Sequence, residues 1–450
     1  MLNLVEISPH PGLAGPQPCF KGFAVPLFAA NPTKTRKDEC QMINTPTVPR
    51  KRALLGPLLI PLLLAFLAIP AQAIPICSHS SMDPDGDGWG WENQQSCKVD
   101  YLRDYAANGY PYCLSSGSDN NGDGWGWEDQ RSCIVKWSGA DPGYATNPNT
   151  GEFFTVGAAL FSPAGKPFIA RGINLQYGDN PSEKMPSFGP IAWTNANIVR
   201  LQLRDNTTNW ELEQALDAIV NRGMVAMPML WEHYLTCHHN TWQLTNAVQN
   251  LWVNRWKTVL QKQKYKGKLL INIANEWGEN YNNYQDFISA YESVISTLRG
   301  AGFKQPLVID GAHCGQYKNT FLSNRGRDLI NHDPENNLVF SLHAYHWLWN
   351  TKGEINQAFL DYRGANIPLM MGEFGDSEFQ APNNVNHMYL MERAQALDVG
   401  WIAWSWKGNG TAEELVLDMS ETYSPANLTR HGTDIVWGPN GLKYTAKSAF

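Results

Sequence analysis

From residue 151 onward, short apolar runs alternate with longer stretches in which apolar residues recur at helical spacing. The apolar runs have the length of buried strands and span 168–174, 197–203, 224–230, 268–274, 306–310, 338–343, 366–372 and 400–404. Eight strands that alternate with helices over roughly three hundred residues suit a parallel sheet closed into a barrel. A doubly wound open sheet is the alternative, but no glycine-rich phosphate loop follows the first run. The pattern predicts an α/β fold, a (β/α)8 barrel, over 151–450.

One further apolar stretch, 53–69, lies near the start of the chain. It follows the basic residues 50–52 and precedes Ala71-Gln72-Ala73. A basic region, an apolar region and small residues at a cleavage site are typical of a secretory signal peptide. The stretch is short and interrupted by prolines, which disfavours a membrane anchor. We predict a signal peptide over 42–73, a secreted protein without membrane association, and a preceding segment 1–41 that is untranslated or disordered.

Between the predicted signal peptide and the barrel, the sequence repeats itself once. Cys77 and Cys97 enclose one copy of Gly-Asp-Gly-Trp-Gly-Trp-Glu, and Cys113 and Cys133 enclose the other. Units of this size bury too little surface to fold without staples, so disulfides are expected. Residues two apart in a strand share a face, so each tryptophan pair can form a surface that stacks on sugar rings. These pairs are Trp89 with Trp91 and Trp125 with Trp127.

The repeats also contain regularly spaced acidic residues, namely Asp83, Asp85, Asp87, Asp119 and Asp123. Oxygen ligands at this spacing open a calcium-binding loop, but Gln94 and Gln130 stand where a bidentate glutamate is required. Glycan binding is therefore the favoured interpretation, calcium binding is compatible with it, and a purely structural turn is the third alternative. No other metal and no cofactor is expected.

The boundaries follow from these patterns: the repeats occupy 74–136, and the turn-rich segment 137–150 is a linker. A hairpin that pairs 152–160 with 167–174, turning at 162–165, is expected to open the barrel domain.

Composition narrows the class of protein. The chain of 450 residues has a net charge of −7, 17% charged residues, 18 tryptophans and no basic block, so nucleic acid is not an expected partner. In an exported protein an even number of cysteines indicates disulfides. Cys237 and Cys314 follow the third and fifth predicted strands, and we expect them to form a bridge at the loop-bearing face, two free thiols being the alternative. We expect a monomer.

Two of the predicted strands lead into a glutamate: Glu276 comes shortly after the run 268–274, and Glu373 comes directly after the run 366–372. Cleavage of a glycosidic bond requires such a pair of carboxylates, although either one alone is more often a helix cap or a strand-end charge. In a barrel the active site is assembled at the carboxyl ends of the strands. The other polar or aromatic residues at those ends are Arg200, His233, Asn275, His343, Tyr345 and Trp404.

This set of eight residues resembles that of glycoside hydrolase family 5, and the motifs around Arg200, Glu276, Glu373 and Trp404 are most similar to a bacterial endo-β-mannanase subgroup. The resemblance implies that Glu276 is the general acid/base and Glu373 the nucleophile of a retaining hydrolase. It further assigns Arg200 and Tyr345 to the nucleophile, Asn275 to the sugar 2-hydroxyl, His233 and His343 to sugar hydroxyls or the acid, and Trp404 to the floor under the reacting ring.

The repeats in turn resemble family 10 carbohydrate-binding modules, on the Trp-Gly-Trp-Glu and Ser-Cys elements of both copies. That resemblance implies binding to crystalline cellulose. The expected function is thus a secreted endo-β-1,4-mannanase targeted to the plant cell wall. Tyr234 replaces an acidic residue of the subgroup, so an endo-β-1,4-glucanase is the main alternative, and a non-catalytic glycan-binding protein is a weaker one.

Overall fold

The computed structural model describes residues 89–92, 94–98, 112–113, 116–128, 131–135, 138–141, 151–278, 284–345, 348–379, 381, 384–412 and 414–450. The predicted signal peptide, the segment before it and most of the predicted linker lie outside the described residues. So do Cys77, the side chain of Cys97, Asp83, Asp85 and Asp87. Within the described part of the chain, no helix is long and apolar enough to span a membrane.

Each repeat forms a two-stranded antiparallel hairpin. The first consists of β1 (Trp89–Glu92) and β2 (Gln95–Lys98), and the second of β3 (Trp125–Glu128) and β4 (Arg131–Ile134). The register pairs Gly90 with Cys97 and Gly126 with Cys133, so the two copies have the same architecture. Both tryptophan pairs therefore lie in strands, as the spacing predicted.

A closed barrel of eight parallel strands follows, which confirms the predicted fold class. The strands are β7 (Arg171–Leu175), β8 (Ile198–Leu203), β9 (Val225–Leu230), β10 (Ile271–Asn272), β11 (Leu307–Asp310), β12 (Leu338–Ala344), β13 (Leu369–Phe374) and β14 (Gly400–Ala403), after a short hairpin of β5 (Phe154–Val156) and β6 (Ala159–Phe161). Every predicted run overlaps one barrel strand, although β7, β12 and β13 extend one or two residues beyond the predicted runs. Apolar side chains dominate because both faces of a barrel strand are covered.

The hairpin before the barrel differs from its prediction: strand 154–156 pairs with 159–161, and most of the predicted second strand, 171–174, belongs to β7 of the barrel. The chain does turn at 162–165, where Gly165 N–H donates to the Ser162 carbonyl at 2.8 Å. The predicted strand 152–160, however, is broken by a tight turn at Gly157, whose φ is 57°. The resulting β5–β6 hairpin packs Phe153 and Leu160 among barrel residues such as Ile198 and so closes the amino-terminal end of the barrel.

Helices cover the outside of the barrel. They are α1 (Pro181–Lys184), α2 (Phe188–Trp193), α3 (Asn209–Val220), α4 (Thr241–Ala247), α5 (Lys257–Leu260), α6 (Tyr284–Gly300), α7 (Arg325–His332), α8 (Lys352–Gly364), α9 (His387–Ala396), α10 (Arg430–Trp437) and α11 (Leu442–Thr445). A π-helical segment, Val248–Trp256, joins α4 to α5. Capping boxes formed by Thr208 with Glu211 and by Thr351 with Glu354 begin α3 and α8. With the helices outside, the loops that follow the strands are free to form a site at the carboxyl-terminal face.

Candidate active site

An open cleft of about 420 Å³ lies at the carboxyl-terminal face of the barrel. It contains five of the eight predicted site residues, and a sixth and a seventh, Arg200 and His343, are buried directly beneath it. The predicted residues that line it are Asn275, Glu276, Tyr345, Glu373 and Trp404. The cleft lies where polar residues at strand ends predicted a site.

Glu276 follows β10 in a left-handed backbone conformation, with φ of 51°. Both of its backbone groups are held by residues of other elements, one at the end of β11 and one in the loop after β9. Its N–H donates to Asp310 Oδ2 at 3.1 Å, and its carbonyl accepts from Cys237 N–H at 2.9 Å. Non-glycine residues rarely adopt this conformation, and such residues cluster at functional sites where surrounding structure holds them. The backbone of Glu276 is thus set by tertiary contacts.

Glu373 lies within β13 and is 4% exposed. Arg200 Nη1 donates to its Oε1, and the Tyr345 hydroxyl donates to its Oε2 at 2.6 Å. A charged donor and a hydroxyl donor both stabilise the ionised form of a carboxylate. Glu373 is therefore surrounded as a nucleophile requires.

His343 lies between the two carboxylates. Its Nδ1 is 2.7 Å from Glu276 Oε1 and 3.5 Å from Glu373 Oε2. An oxygen of each glutamate and a nitrogen of His343 lie within 4.8 Å of one another. This spacing suits the short carboxyl separation of about 5 to 5.5 Å in retaining glycosidases, in which no water has to fit between the second carboxylate and the sugar.

The protonation states of these groups differ because their surroundings differ. Burial raises the pKa of Glu276 to about 7, with the charge of Glu373 adding to the effect and His343 opposing it. Burial by itself would lower the pKa of His343, but the charges of Glu373 and Asp310 raise it to about 10. Burial and the charge of Glu373 hold the pKa of Tyr345 well above its usual value. Near neutral pH, His343 is a cationic donor and Tyr345 a neutral one.

Arg200 is fully buried and is the centre of a polar network. Its Nε donates to Asn272 Oδ1 at 2.7 Å, and its Nη2 donates to Asn275 Oδ1 at 2.8 Å and to Asp310 Oδ2 at 3.0 Å. Burial opposes the charge of Arg200, but Asp310 and Glu373 raise its pKa. A buried guanidinium with all of these partners is fixed in orientation. Arg200 therefore holds Asn275 and Glu373 in a defined relative position.

Trp404 follows β14 and is partly buried in the wall of the cleft. Its indole Nε1–H donates to Asn409 Oδ1 at 2.9 Å, and its carbonyl accepts from His431 Nε2 at 3.0 Å. These bonds fix an aromatic surface that the cleft presents to a ligand. The position agrees with the predicted floor under a sugar ring.

His233 is the predicted site residue that the structure does not bring into this group. It is exposed, is absent from the cleft lining, and packs edge-on against Trp231 at a centroid distance of 4.8 Å. Trp231, two residues earlier, lines the cleft instead, and the Arg204 guanidinium lies 3.7 Å from its ring centroid. The Trp231 side chain lines the cleft and that of His233 is exposed to solvent. Side chains two positions apart no longer share a face once the strand has ended.

Sequence reasoning also missed three residues that the structure places in or under the site: Asp310, Asn272 and Trp231. Asp310 ends β11 and Asn272 ends β10, so their positions as polar residues at strand ends were visible in the sequence. Both are fully buried. The signal was available, but only the barrel register shows that these side chains meet Arg200.

The predicted bridge between Cys237 and Cys314 is present. It joins the loops after β9 and β11, and Cys237 Sγ lies 3.8 Å from Glu276 Oε2. The second repeat contains the disulfide Cys113–Cys133. The pairing of Cys77 and Cys97 lies outside the described residues.

The tryptophans of both repeats are exposed, with Trp91 at 64% and Trp127 at 66%. The glycine between the second pair lies against the disulfide, since a Cβ on Gly126 would approach Cys113 Sγ to 2.6 Å. The Trp-Gly-Trp spacing thus lets the strand lie directly on the bridge while two indoles remain at the surface.

The carboxylate of Asp119 is occupied by backbone groups. Its Oδ1 accepts from the N–H groups of Gly122 at 2.7 Å and Asp123 at 3.2 Å, and its Oδ2 accepts from Gly124 N–H at 2.7 Å. Asp123 Oδ1 accepts from Trp125 N–H at 2.8 Å. In this arrangement the two acidic residues organise a turn, which is the structural alternative to a calcium loop.

Outside the cleft, the described residues include a buried group whose ligand atoms are close enough to hold a metal ion, formed by Asp376, His387 and His431. Arg430 pairs with Asp376, and His387 Nε2 lies 3.2 Å from Asp434 Oδ2. Burial and the neighbouring His431 lower the pKa of His387 to about 4. These partners make the group a polar network under the loop that carries Trp404.

Comparison with known proteins agrees with this geometry. Residues 161–410 match the model of "Cellulase (glycosyl hydrolase family 5)", and residues 70–99 and 104–135 match that of "Cellulose or protein binding domain". A mannan endo-1,4-beta-mannosidase of Salipaludibacillus agaradhaerens is 31% identical over 304 residues, which cover 66% of this chain and 94% of that protein. An enzyme of the same name from Cellvibrio japonicus is 28% identical over 302 residues, covering 66% and 68%.

Among solved structures, the mannotriose complex of Thermomonospora fusca beta-mannanase aligns with a TM-score of 0.59 and 28% identity, covering 66% of this chain and 98% of that one. The family match over 161–410 includes both glutamates of the cleft and the other predicted site residues. The chain belongs to glycosyl hydrolase family 5 and is a glycoside hydrolase.

Proposed function

We propose that the protein is a secreted, retaining endo-β-1,4-mannanase. The observation that carries the proposal is the pair of carboxylates in contrasting surroundings: Glu276 is partly buried in the cleft wall with a raised pKa, and Glu373 accepts from Arg200 and Tyr345. Two carboxyl groups with separated roles define the acid and the nucleophile of a glycosidase. The relatives named mannan endo-1,4-beta-mannosidase support mannan as the substrate.

In the first step, the Glu373 carboxylate attacks the anomeric carbon while Glu276 transfers its proton to the glycosidic oxygen. The bond between the anomeric carbon and that oxygen breaks, and its electron pair leaves with the departing sugar as a hydroxyl group. A covalent glycosyl ester of Glu373 results. His343 donates to Glu276 Oε1, which leaves Oε2 to carry the transferred proton.

In the second step, the ionised Glu276 removes a proton from water, and the water oxygen attacks the anomeric carbon. The ester bond to Glu373 breaks, and the carboxylate returns to Arg200 and Tyr345. Two inversions give net retention. Throughout, Asn275 is placed to hold the 2-hydroxyl group, and Trp404 to support the ring.

The proposal extends to where the enzyme acts. We expect the exposed tryptophans of the two repeats to bind cellulose and so to concentrate the enzyme on plant cell wall, with the predicted signal peptide directing export of a monomer. The match of the repeats to a cellulose or protein binding domain supports the first expectation.

Initial rates on galactomannan, glucomannan and carboxymethylcellulose test the substrate. We expect mannan-containing polymers to be cleaved faster. An endo-β-1,4-glucanase is the second candidate, because a "Beta-mannanase/endoglucanase A" of Caldicellulosiruptor saccharolyticus is 31% identical over 164 residues, which form 12% of that protein. Faster cleavage of carboxymethylcellulose would favour it.

Proton NMR of the first products tests the mechanism, since a retaining enzyme releases the β-anomer before mutarotation. Initial release of the α-anomer would contradict the proposal.

A further inference from the structure

We infer that Asp310 is a positioning residue that holds the acid/base Glu276 in its productive orientation. The inference rests on the proposed function, because it takes Glu276 as the group that protonates the leaving oxygen. Asp310 lies at the end of β11 and is fully buried. It does not line the cleft, so it acts through its neighbours.

One oxygen of Asp310 joins three groups of the site. Oδ2 accepts from Glu276 N–H at 3.1 Å and from Arg200 Nη2 at 3.0 Å, and it lies 3.5 Å from His343 Nε2. The other oxygen, Oδ1, accepts from Asn272 Nδ2 at 3.2 Å. Asn272 in turn accepts from Arg200 Nε, which closes a ring of hydrogen bonds around the carboxylate. Asp310 is therefore fixed on both sides and can fix what it contacts.

Glu276 needs such a contact because its backbone is in the left-handed region, which is unfavourable for a non-glycine residue unless surrounding structure holds it there. Its N–H is bonded to Asp310 and its carbonyl to Cys237 N–H. Loss of the first bond would leave the bond from Cys237 as the remaining backbone restraint on Glu276 described above. The carboxyl group would then leave the position from which it reaches the glycosidic oxygen.

Asp310 also acts on the partner of Glu276. Its charge contributes to the raised pKa of His343, and His343 donates to Glu276 Oε1 at 2.7 Å. Backbone and side chain of Glu276 thus depend on the same carboxylate, the former directly and the latter through one imidazole.

A purely structural role for Asp310 makes a different prediction from a positioning role. When the acid is misplaced, cleavage slows most for substrates whose leaving group must be protonated and least for those whose leaving group departs as an anion. A disturbed nucleophile or a loosened barrel slows all substrates alike. The dependence of the rate on the leaving group therefore separates the two roles.

The test compares kcat/KM of the wild-type full chain with that of its D310N variant on two β-mannobiosides. One carries 2,4-dinitrophenolate, which leaves without a proton, and the other methanol, which requires one. Asparagine keeps the shape of the side chain but loses its charge, and its NH2 group must face one of the two sets of donors that Asp310 now accepts from, either Glu276 N–H or Asn272 Nδ2. We expect D310N to lower kcat/KM about 100-fold on the methyl glycoside, which is the effect of moving a catalytic group by about 1 Å. On the dinitrophenyl glycoside we expect kcat/KM to fall less than about threefold.

Asp333 provides a matched control. It is fully buried, pairs with Arg299 at 2.8 Å and accepts from the backbone N–H groups of Glu335 and Asn337, but it follows α7, away from the cleft. We expect D333N to change kcat/KM by the same factor on both substrates.

Equal losses on both substrates in D310N would overturn the inference. If D310N does not fold, D310S, which removes the clashing amide, takes its place with the same expected ratio. Failure of both variants to fold would assign Asp310 to stability and would also overturn the inference.

Failure of the proposed function has a different signature. In that case the wild-type chain would not cleave either mannobioside. The same comparison on β-cellobiosides would then decide the role of Asp310 independently, because the acid/base serves either sugar.

Discussion

The second Trp-Gly-Trp hairpin and the carboxylate cleft place their functional groups at opposite extremes of burial. Trp127 is 66% exposed on a strand that lies on one disulfide, whereas Glu373 is 4% exposed. Glu373 is surrounded by partners that are themselves buried, among them Arg200 and His343. The hairpin needs only a few residues, and the cleft needs every strand of the barrel.

The difference follows from what each region has to do. Stacking on a sugar requires an apolar ring that is still in water before it binds, so a small stapled unit suffices. Proton transfer and nucleophilic attack require two carboxyl groups with different protonation states at one pH. Such a difference arises only where water is excluded and charges are paired, which requires a large core.

The largest expected effect comes from removal of the nucleophile, which should abolish the function of the cleft and leave that of the hairpins intact. We expect Glu373→Ala to lower kcat on soluble mannan by at least about 10³-fold, because no covalent intermediate can form. Retention on cellulose is expected to stay unchanged, since the repeats are untouched. A reducing-sugar assay and a cellulose pull-down measure the two effects, and full activity of this variant would refute the assignment of Glu373.

The second prediction concerns a variant that lacks the disulfide of the second hairpin. Replacing Cys113 and Cys133 together by serine is expected to lower the free energy of unfolding of the second repeat by about 3 kcal/mol, roughly 150-fold in the folding equilibrium. Cleavage by trypsin after Arg131 should accelerate accordingly. The midpoint of barrel unfolding in calorimetry should not move, and a parallel shift of both would show that the two regions unfold together.

The third prediction concerns pH. Burial raises the pKa of Glu276 to about 7, and the acid acts only while protonated, so kcat/KM should fall about tenfold per unit above that pH. Cellulose binding by the repeats should remain flat over pH 5 to 9. A decline of kcat/KM centred near pH 4.5 would show that the cleft does not raise the pKa of this group.

The smallest expected effect is that of a single stacking residue. Trp127→Ala should weaken cellulose binding about fivefold, corresponding to about 1 kcal/mol, because one exposed ring is lost while Trp91 of the first repeat remains. Trp242→Ala is the matched control, since Trp242 is 70% exposed on α4 of the barrel. Equal losses in the two variants would mean that the hairpin tryptophans have no special role.

Much of this architecture could be predicted from the sequence. The eight apolar runs each overlap a barrel strand, because parallel barrel strands are buried on both faces and stand out from the amphipathic helices between them. Glu276 and Glu373 could be paired because the carboxyl ends of all strands meet at one face. The bridge between Cys237 and Cys314 followed from the same geometry.

Other features were decided only by the tertiary structure. His233 turns away from the cleft and Trp231 enters it, Asp119 bonds to backbone amides, and Asp310 at the end of β11 meets Glu276, which follows β10. Periodicity along the chain shows which positions are buried. Which buried polar groups touch each other depends on the stagger of the strands and on loop conformations held by distant residues, as the left-handed backbone of Glu276 is held by Asp310 and Cys237.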